Sequence, residues 1–162
     1  MRFKIFTILN FAVLASLLIS TATASLTKKG LVCIDKEQLS SEWSSTEDPL
    51  ISSVAHWFDE KKVSTTTWVR KNDTIKMLTT RNGVPFKTDA KTIRWKTTVG
   101  DEDRIISIDR ATAERSVLSG KEILVSADCE IFLKEKEFQK KLEAITQTLQ
   151  TKFNQAIAKH KL

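Results

Sequence analysis

The chain has 162 residues, two Cys, and 26 Lys and Arg against 20 Asp and Glu, for a formal charge of +6. That length fits one domain with a real core. Four Gly exclude a glycine-rich phosphate loop, and no patch interleaves aromatic with basic residues, so a nucleic-acid partner is not expected.

The N-terminus predicts a cleavable secretory signal over residues 1–24. Arg2 and Lys4 form a short positive region, Ile5 to Ile19 is apolar apart from Thr7, Asn10 and Ser16, and Ala22-Thr23-Ala24 is an A-x-A cleavage site. A membrane anchor needs about 20 apolar residues, and this run is shorter. Lipid attachment at Cys33 is disfavoured, because Lys28 and Lys29 separate that residue from the apolar run. The mature chain is expected to begin at Ser25, to be periplasmic or secreted, and to carry no stable membrane span. Its basic excess lies in residues 131–162, where seven Lys face three Glu; residues 25–130 are neutral overall. In an oxidising compartment two Cys allow one intramolecular pairing, Cys33–Cys129.

Gly30 to Asp35 reads as a first strand. Lys36 to Ser53 is a long Ser- and acid-rich connection with Pro49, longer than usual for a compact domain. Ser53–Phe58 and Lys62–Lys71 follow as strands across the polar turn Asp59-Glu60-Lys61; the second is β-branched, with Val63, Thr65, Thr66, Thr67 and Val69. Asn72-Asp73 turns the chain into Thr74–Thr80, and Asn82-Gly83 supplies a tight turn with positive φ. Lys91–Val99 alternates, with Ile93, Trp95, Thr97 and Val99 on one face and Arg94, Lys96 and Thr98 on the other. Arg104–Asp109, Glu114–Leu118 and Glu122–Phe132 complete the series. The last has Ile123, Val125, Ala127, Cys129 and Ile131 in one phase, expected inward. Seven or eight short strands at hairpin spacing predict a mainly β fold over residues 25–132, an antiparallel up-and-down barrel or curved sheet.

From Lys134 the pattern changes. Phe138, Leu142, Ile145, Leu149, Phe153 and Ile157 form one stripe of an amphipathic helix occupying residues 133–162, with Lys159, His160 and Lys161 at its C-terminus. The stripe fits either packing on the β domain or self-association, with an unknown protein partner as the further option.

Residue chemistry suggests no catalytic constellation and no cofactor. His56 lies in a strand beside Trp57, and His160 at the chain end; no Ser or Cys has a His and carboxylate at motif spacing. Asp101-Glu102-Asp103 lacks the alternating ligands of a calcium loop and reads as a hairpin turn. Trp68 is out of phase with Val63, Thr65, Thr67 and Val69, so it is expected on the opposite face, either exposed beside Arg70 or packed across strands. Trp68 and Arg70, with Ile145, Leu149 and Phe153 of the helix, are the candidate binding surface.

The order of an apolar strand with Cys33, the segment His56-Trp57-Phe58-Asp59-Glu60-Lys61-Lys62-Val63, Thr92-Ile93-Arg94-Trp95, Ile105–Thr112 and a Cys late in the last strand resembles small exported bacterial proteins of unknown function. Over residues 30–132 it is also similar in plan to periplasmic inhibitors of c-type lysozyme, small barrels with a terminal-strand disulfide. Those inhibitors carry a Ser-Gly-containing loop and a Lys-Gly segment that enter the lysozyme cleft. Ser119-Gly120-Lys121 is the matching fragment here, and the long C-terminal helix has no counterpart. The expectation is an exported, non-enzymatic binding or accessory protein, with a lysozyme-inhibitor-like role as one version. The alternative is a barrel that holds a small apolar ligand.

Overall fold

The computed structural model describes residues 27–34, 53–99 and 101–160. The expected signal segment, and the connection at positions 36–52, lie outside the described residues. The elements are β1 (Lys29–Ile34), β2 (Ser53–Asp59), β3 (Lys62–Lys71), β4 (Thr74–Thr79), β5 (Val84–Pro85), β6 (Lys87–Thr88), β7 (Thr92–Val99), β8 (Glu102–Asp109), β9 (Glu114–Ser119), β10 (Glu122–Phe132) and α1 (Glu135–His160). All strand pairs are antiparallel, in the order β4-β3-β2-β1-β10-β9-β8-β7-β6. The first and last long strands therefore lie side by side in the middle of one curled, half-barrel sheet.

Short polar turns impose this up-and-down order. Asn72 adopts φ of 57° in the β3–β4 hairpin. Gly83, at φ 54°, lies instead where the chain passes from β4 to β5, both of which pair with β3, so the expected Asn82-Gly83 turn has positive φ but joins no hairpin. Two strands were not apparent in the pattern, because β5 and β6 are only two residues each. They change the architecture out of proportion to their length. β5 pairs with β3 through Val63↔Val84, and one residue beyond it β6 pairs with β7 through Lys87↔Arg94. Residues 84–88 thus reach across from one side of the sheet to the other.

Period-two alternation gives the sheet two buried faces. The concave face collects Leu31, Cys33, Val54, Phe58, Val63, Ile93, Trp95, Ile106, Ile108 and Ala127. Phe58 packs edge-on against Phe86 and Trp95, with centroids 5.3 and 5.8 Å away. Cys33 and Cys129 are directly opposed across the β1–β10 ladder and form a disulfide, with Cα atoms 4.0 Å apart. The pairing expected from the cysteine count is present.

The β10 pattern is corrected by the structure: Val125 and Ile131 keep the expected phase but are exposed, and Ile123 leaves that phase. A bulge between Ile123 and Val125 shifts the register by one residue. Val125 stays in phase with Val117 of the concave side, but Ile123 pairs with Leu118 on the convex side and is 61% exposed. One extra residue in a strand reverses every side chain beyond it.

Among the described residues the convex face is covered on one half only, by α1. Phe138, Leu142, Leu149 and Phe153 pack on Val32, Ala55, Trp68, Ile75 and Phe132, flanked by Ile34, Trp57, Ile145 and Ile157. Glu135 and Glu137 lie in the first turn, where the helix dipole favours negative charge. Phe138 fits because β1 has a Gly beneath it: a Cβ at Gly30 would stand 2.3 Å from the Phe138 ring. At the other end Gln150 accepts a bond from the Ile75 amide (2.8 Å) and donates to the Asp73 carbonyl (3.0 Å). Its side-chain amide occupies the place of a neighbouring strand at the β4 edge. Among the described residues no helix is long and apolar enough to cross a membrane.

Candidate functional site

The one described histidine side chain lies inside the curl. His56 shares the concave face with Leu31, its β1 partner, and is 1% exposed. Its Nδ1 meets Thr65 Oγ1 at 3.1 Å, and its ring sits edge-on to Trp95 with centroids 4.8 Å apart. Burial, then the nearby Arg115 guanidinium, hold its pKa well below the ordinary histidine value. The ring is neutral at physiological pH and shielded from solvent. Its location suits internal packing better than proton transfer to an outside substrate.

A groove of about 780 Å³ lies beside β7. It opens where β6 ends and the chain between β5 and β6 swings away towards β3. Val84, Phe86, Trp95 and Ile105 give it apolar surface, and Lys87, Arg94 and Lys96 give it positive charge. All three cations are exposed, whereas Trp95 is held in the core by Phe58 and His56. The acid of the lining, Asp89, is committed to its own turn. Its carboxylate accepts from the Lys91 and Thr92 amides at 2.8 and 2.7 Å and from the Thr92 hydroxyl at 2.9 Å. Those hydrogen bonds, with Arg94 as a lesser contributor, lower its pKa below the usual carboxylate value.

Convex-side register extends the apolar part of the groove. Lys96 faces Ile105, Ile105 faces Leu118, and Leu118 faces Ile123 across β7, β8, β9 and β10. The helix lies over β4, β1 and β10 rather than over this half of the sheet. A polar row runs parallel to it through Arg94, Ser107, Ser116 and Ser126.

The binding surface expected from the sequence is placed differently. Trp68, Arg70, Ile145, Leu149 and Phe153 do come together, but as the contact between α1 and the sheet. Trp68 is on the face opposite Val63, as its phase requires, and is 1% exposed because α1 covers that face. Its indole Nε1 donates to Thr146 Oγ1 at 2.8 Å. Leu149 and Phe153 are buried, Ile145 is half-buried, and the Arg70 guanidinium lies 5.5 Å from the Phe153 ring centroid. Of the two placements expected for Trp68, exposed or packed, the packed one is found, against α1: strand periodicity assigns a face, and a helix 78 residues away in sequence decides whether that face meets water.

Ser119-Gly120-Lys121 forms the β9–β10 turn, with Gly120 at φ 60° and open space around it. The acidic run, expected as a hairpin turn, is a turn only at Asp101; Glu102 and Asp103 open β8, opposite Val99 and Thr98. Glu102 pairs with Arg104, and Asp103 accepts the Thr98 hydroxyl at 3.3 Å. The groove residues on 84–88 escaped the sequence reading because two-residue strands leave no periodic trace. Arg94 and Lys96 were visible as the outward phase of an alternating strand, and that phase was the available signal. No family model matches this chain, no curated protein matches it, and no solved structure matches it.

Proposed function

We propose that this is an exported, non-enzymatic binding protein whose ligand site is the β7 groove, and that the ligand is anionic with an apolar component. The observation that carries this reading is the composition of the groove. Lys87, Arg94 and Lys96 border apolar surface from Phe86, Trp95 and Ile105, while Asp89 spends its charge on its own turn. A cation beside desolvating apolar walls interacts with an anion more strongly than it would in open water.

Export is supported by the Cys33–Cys129 disulfide, which is at home in an oxidising compartment. The alternative of an apolar ligand inside the barrel is weakened by the concave face, where Phe58, Trp95, Ile93, Ile106 and Ile108 pack into one cluster. A lysozyme-inhibitor-like role finds its support in the exposed Ser119–Lys121 turn, and titration of c-type lysozyme activity with the purified protein checks it.

The test of the main reading uses dodecyl phosphate below its micelle concentration, followed by calorimetry. Binding is expected with the wild type and at least ten-fold weaker with the Lys87→Glu/Lys96→Glu double variant. Equal binding by both proteins refutes the groove as the site.

A further inference from the structure

The two free edges of the sheet are treated differently by the fold. At β4 the Gln150 side chain caps the edge through Ile75 and Asp73, and the exposed Lys76 supplies a charge that discourages pairing. At β7 the cover is shorter: β6 pairs only as far as Arg94, and Val84–Pro85 run near β7 without pairing with it. The Thr92 carbonyl accepts the Asp89 amide at 2.9 Å, so Thr92 directs its backbone groups towards the β6 side. Period two then gives the same direction to Arg94, Lys96 and Thr98. Arg94 is met by Lys87, but β6 stops there, and Lys96, at the groove, and Thr98 beyond it point theirs away from β8 with no strand paired to them among the described residues.

We propose that the groove receives an extended segment of another protein, which adds to the free β7 edge as an antiparallel strand, like every other pair in the sheet, with acidic and apolar residues in alternation. The proposal rests on the groove reading above and names its ligand. Residues of the incoming strand on the convex side stand beside Lys96, Arg94 and Lys87, and opposite charges on neighbouring strands attract. Residues of the other phase stand beside Thr97 on the concave side, towards Trp95 and Phe86, where apolar side chains extend the existing cluster. Main-chain bonds to Lys96 and Thr98 supply affinity, and the alternating side chains supply selectivity. Lys96–Val99 is about 13 Å long at roughly 3.3 Å per residue, so the recognised segment is four to six residues long, on the order of one short strand.

The probe is an acetylated and amidated seven-residue peptide alternating glutamate and valine, with a lysine–valine peptide as its charge-reversed control. The expected results are binding of the acidic peptide alone, and slowed hydrogen exchange at the Lys96 and Thr98 amides but not at Thr97, whose amide faces β8. Lys96→Glu is expected to weaken binding at least ten-fold. N-methylation separates strand addition from simple adhesion. With glutamates on the convex side, in phase with Lys96, their amides face β7, so methylating them abolishes binding, while methylating the valine amides leaves it within two-fold. Binding indifferent to either methylation overturns strand addition and leaves the groove reading standing. Equal binding of the lysine–valine peptide overturns the charge selection. No binding of the acidic peptide overturns the proposal, and the dodecyl phosphate titration then decides whether the groove reading falls with it.

Discussion

Replacing Gly30 by Ala tests how α1 is seated. Gly30 pairs with Trp57 on β2 and with Phe132 on β10, and the Phe138 ring rests on its bare backbone. A Cβ there would lie 2.3 Å from Cδ2 and 2.8 Å from Cε2 of Phe138. The ring has little freedom to retreat, being 2% exposed and flanked by Trp57 and Phe132 with centroids 5.1 and 6.1 Å away. Overpacking of this kind costs about 1–3 kcal/mol. Against it, Ala is favoured over Gly in a strand interior by roughly 0.5–1 kcal/mol. The net expectation is a loss of about 1–2 kcal/mol, read as a lower urea midpoint at unchanged slope. In a Phe138→Leu background the steric conflict goes and the backbone gain remains, so the same substitution becomes neutral or stabilising. The coupling between the two sites is then at least about 1 kcal/mol, within the range found for residues in contact. A Gly30→Ala protein that is more stable than wild type refutes the reasoning, as does the same penalty in both backgrounds.

Truncation after Glu143 removes Leu149 and Phe153 and uncovers Trp68 and Ile75. Loss of those two helix side chains alone costs roughly 3–6 kcal/mol at about 1.5–3 each, a large share of a typical domain's stability of roughly 5–15 kcal/mol. Aggregation or loss of the thermal transition is expected; a folded product with an unchanged midpoint would show that the helix is dispensable to the core. His56 makes stability depend on pH. Its folded pKa is depressed, so the unfolded chain binds a proton first; stability is unaffected above about pH 6.5 and falls below it by up to about 1.4 kcal/mol per pH unit until the folded pKa is reached. His56→Phe should flatten the profile of the denaturation midpoint between pH 5 and 6.5, and an unchanged slope there would assign the effect to other groups. Cys129→Ser opens a link between residues 96 apart in sequence and should cost roughly 2–5 kcal/mol, measured by urea unfolding against the oxidised wild type. A loss below about 0.5 kcal/mol would show that the β1–β10 ladder needs no covalent support.

Local patterns determined much of this molecule. The alternation of Lys91–Val99 put Ile93 and Trp95 inside and Arg94 and Lys96 outside, and both assignments hold. The 4-3 spacing from Phe138 to Phe153 predicted a helix with one buried stripe, and the stripe is buried. These features follow from dihedral geometry, which repeats every two or 3.6 residues and is written in a single segment. Two cysteines sufficed for the disulfide, because one pairing exists.

What only the tertiary structure decided involves two segments at once. The phase of Trp68 identified its face, but α1 could reach that face or another chain, and nothing local distinguishes the two. The contact with Thr146, and the room made by Gly30 for Phe138, settle it within this chain. The bulge near Ile123 was hidden because an extra residue shows only against a partner strand, here β9. The groove is the furthest from sequence. It exists because residues 84–88 leave β7 after Arg94 to pair with Val63 of β3, a choice of partner made by strands far apart in the chain. Periodicity can tell which way Lys96 points; where its neighbouring strand stops depends on the curl of the whole sheet.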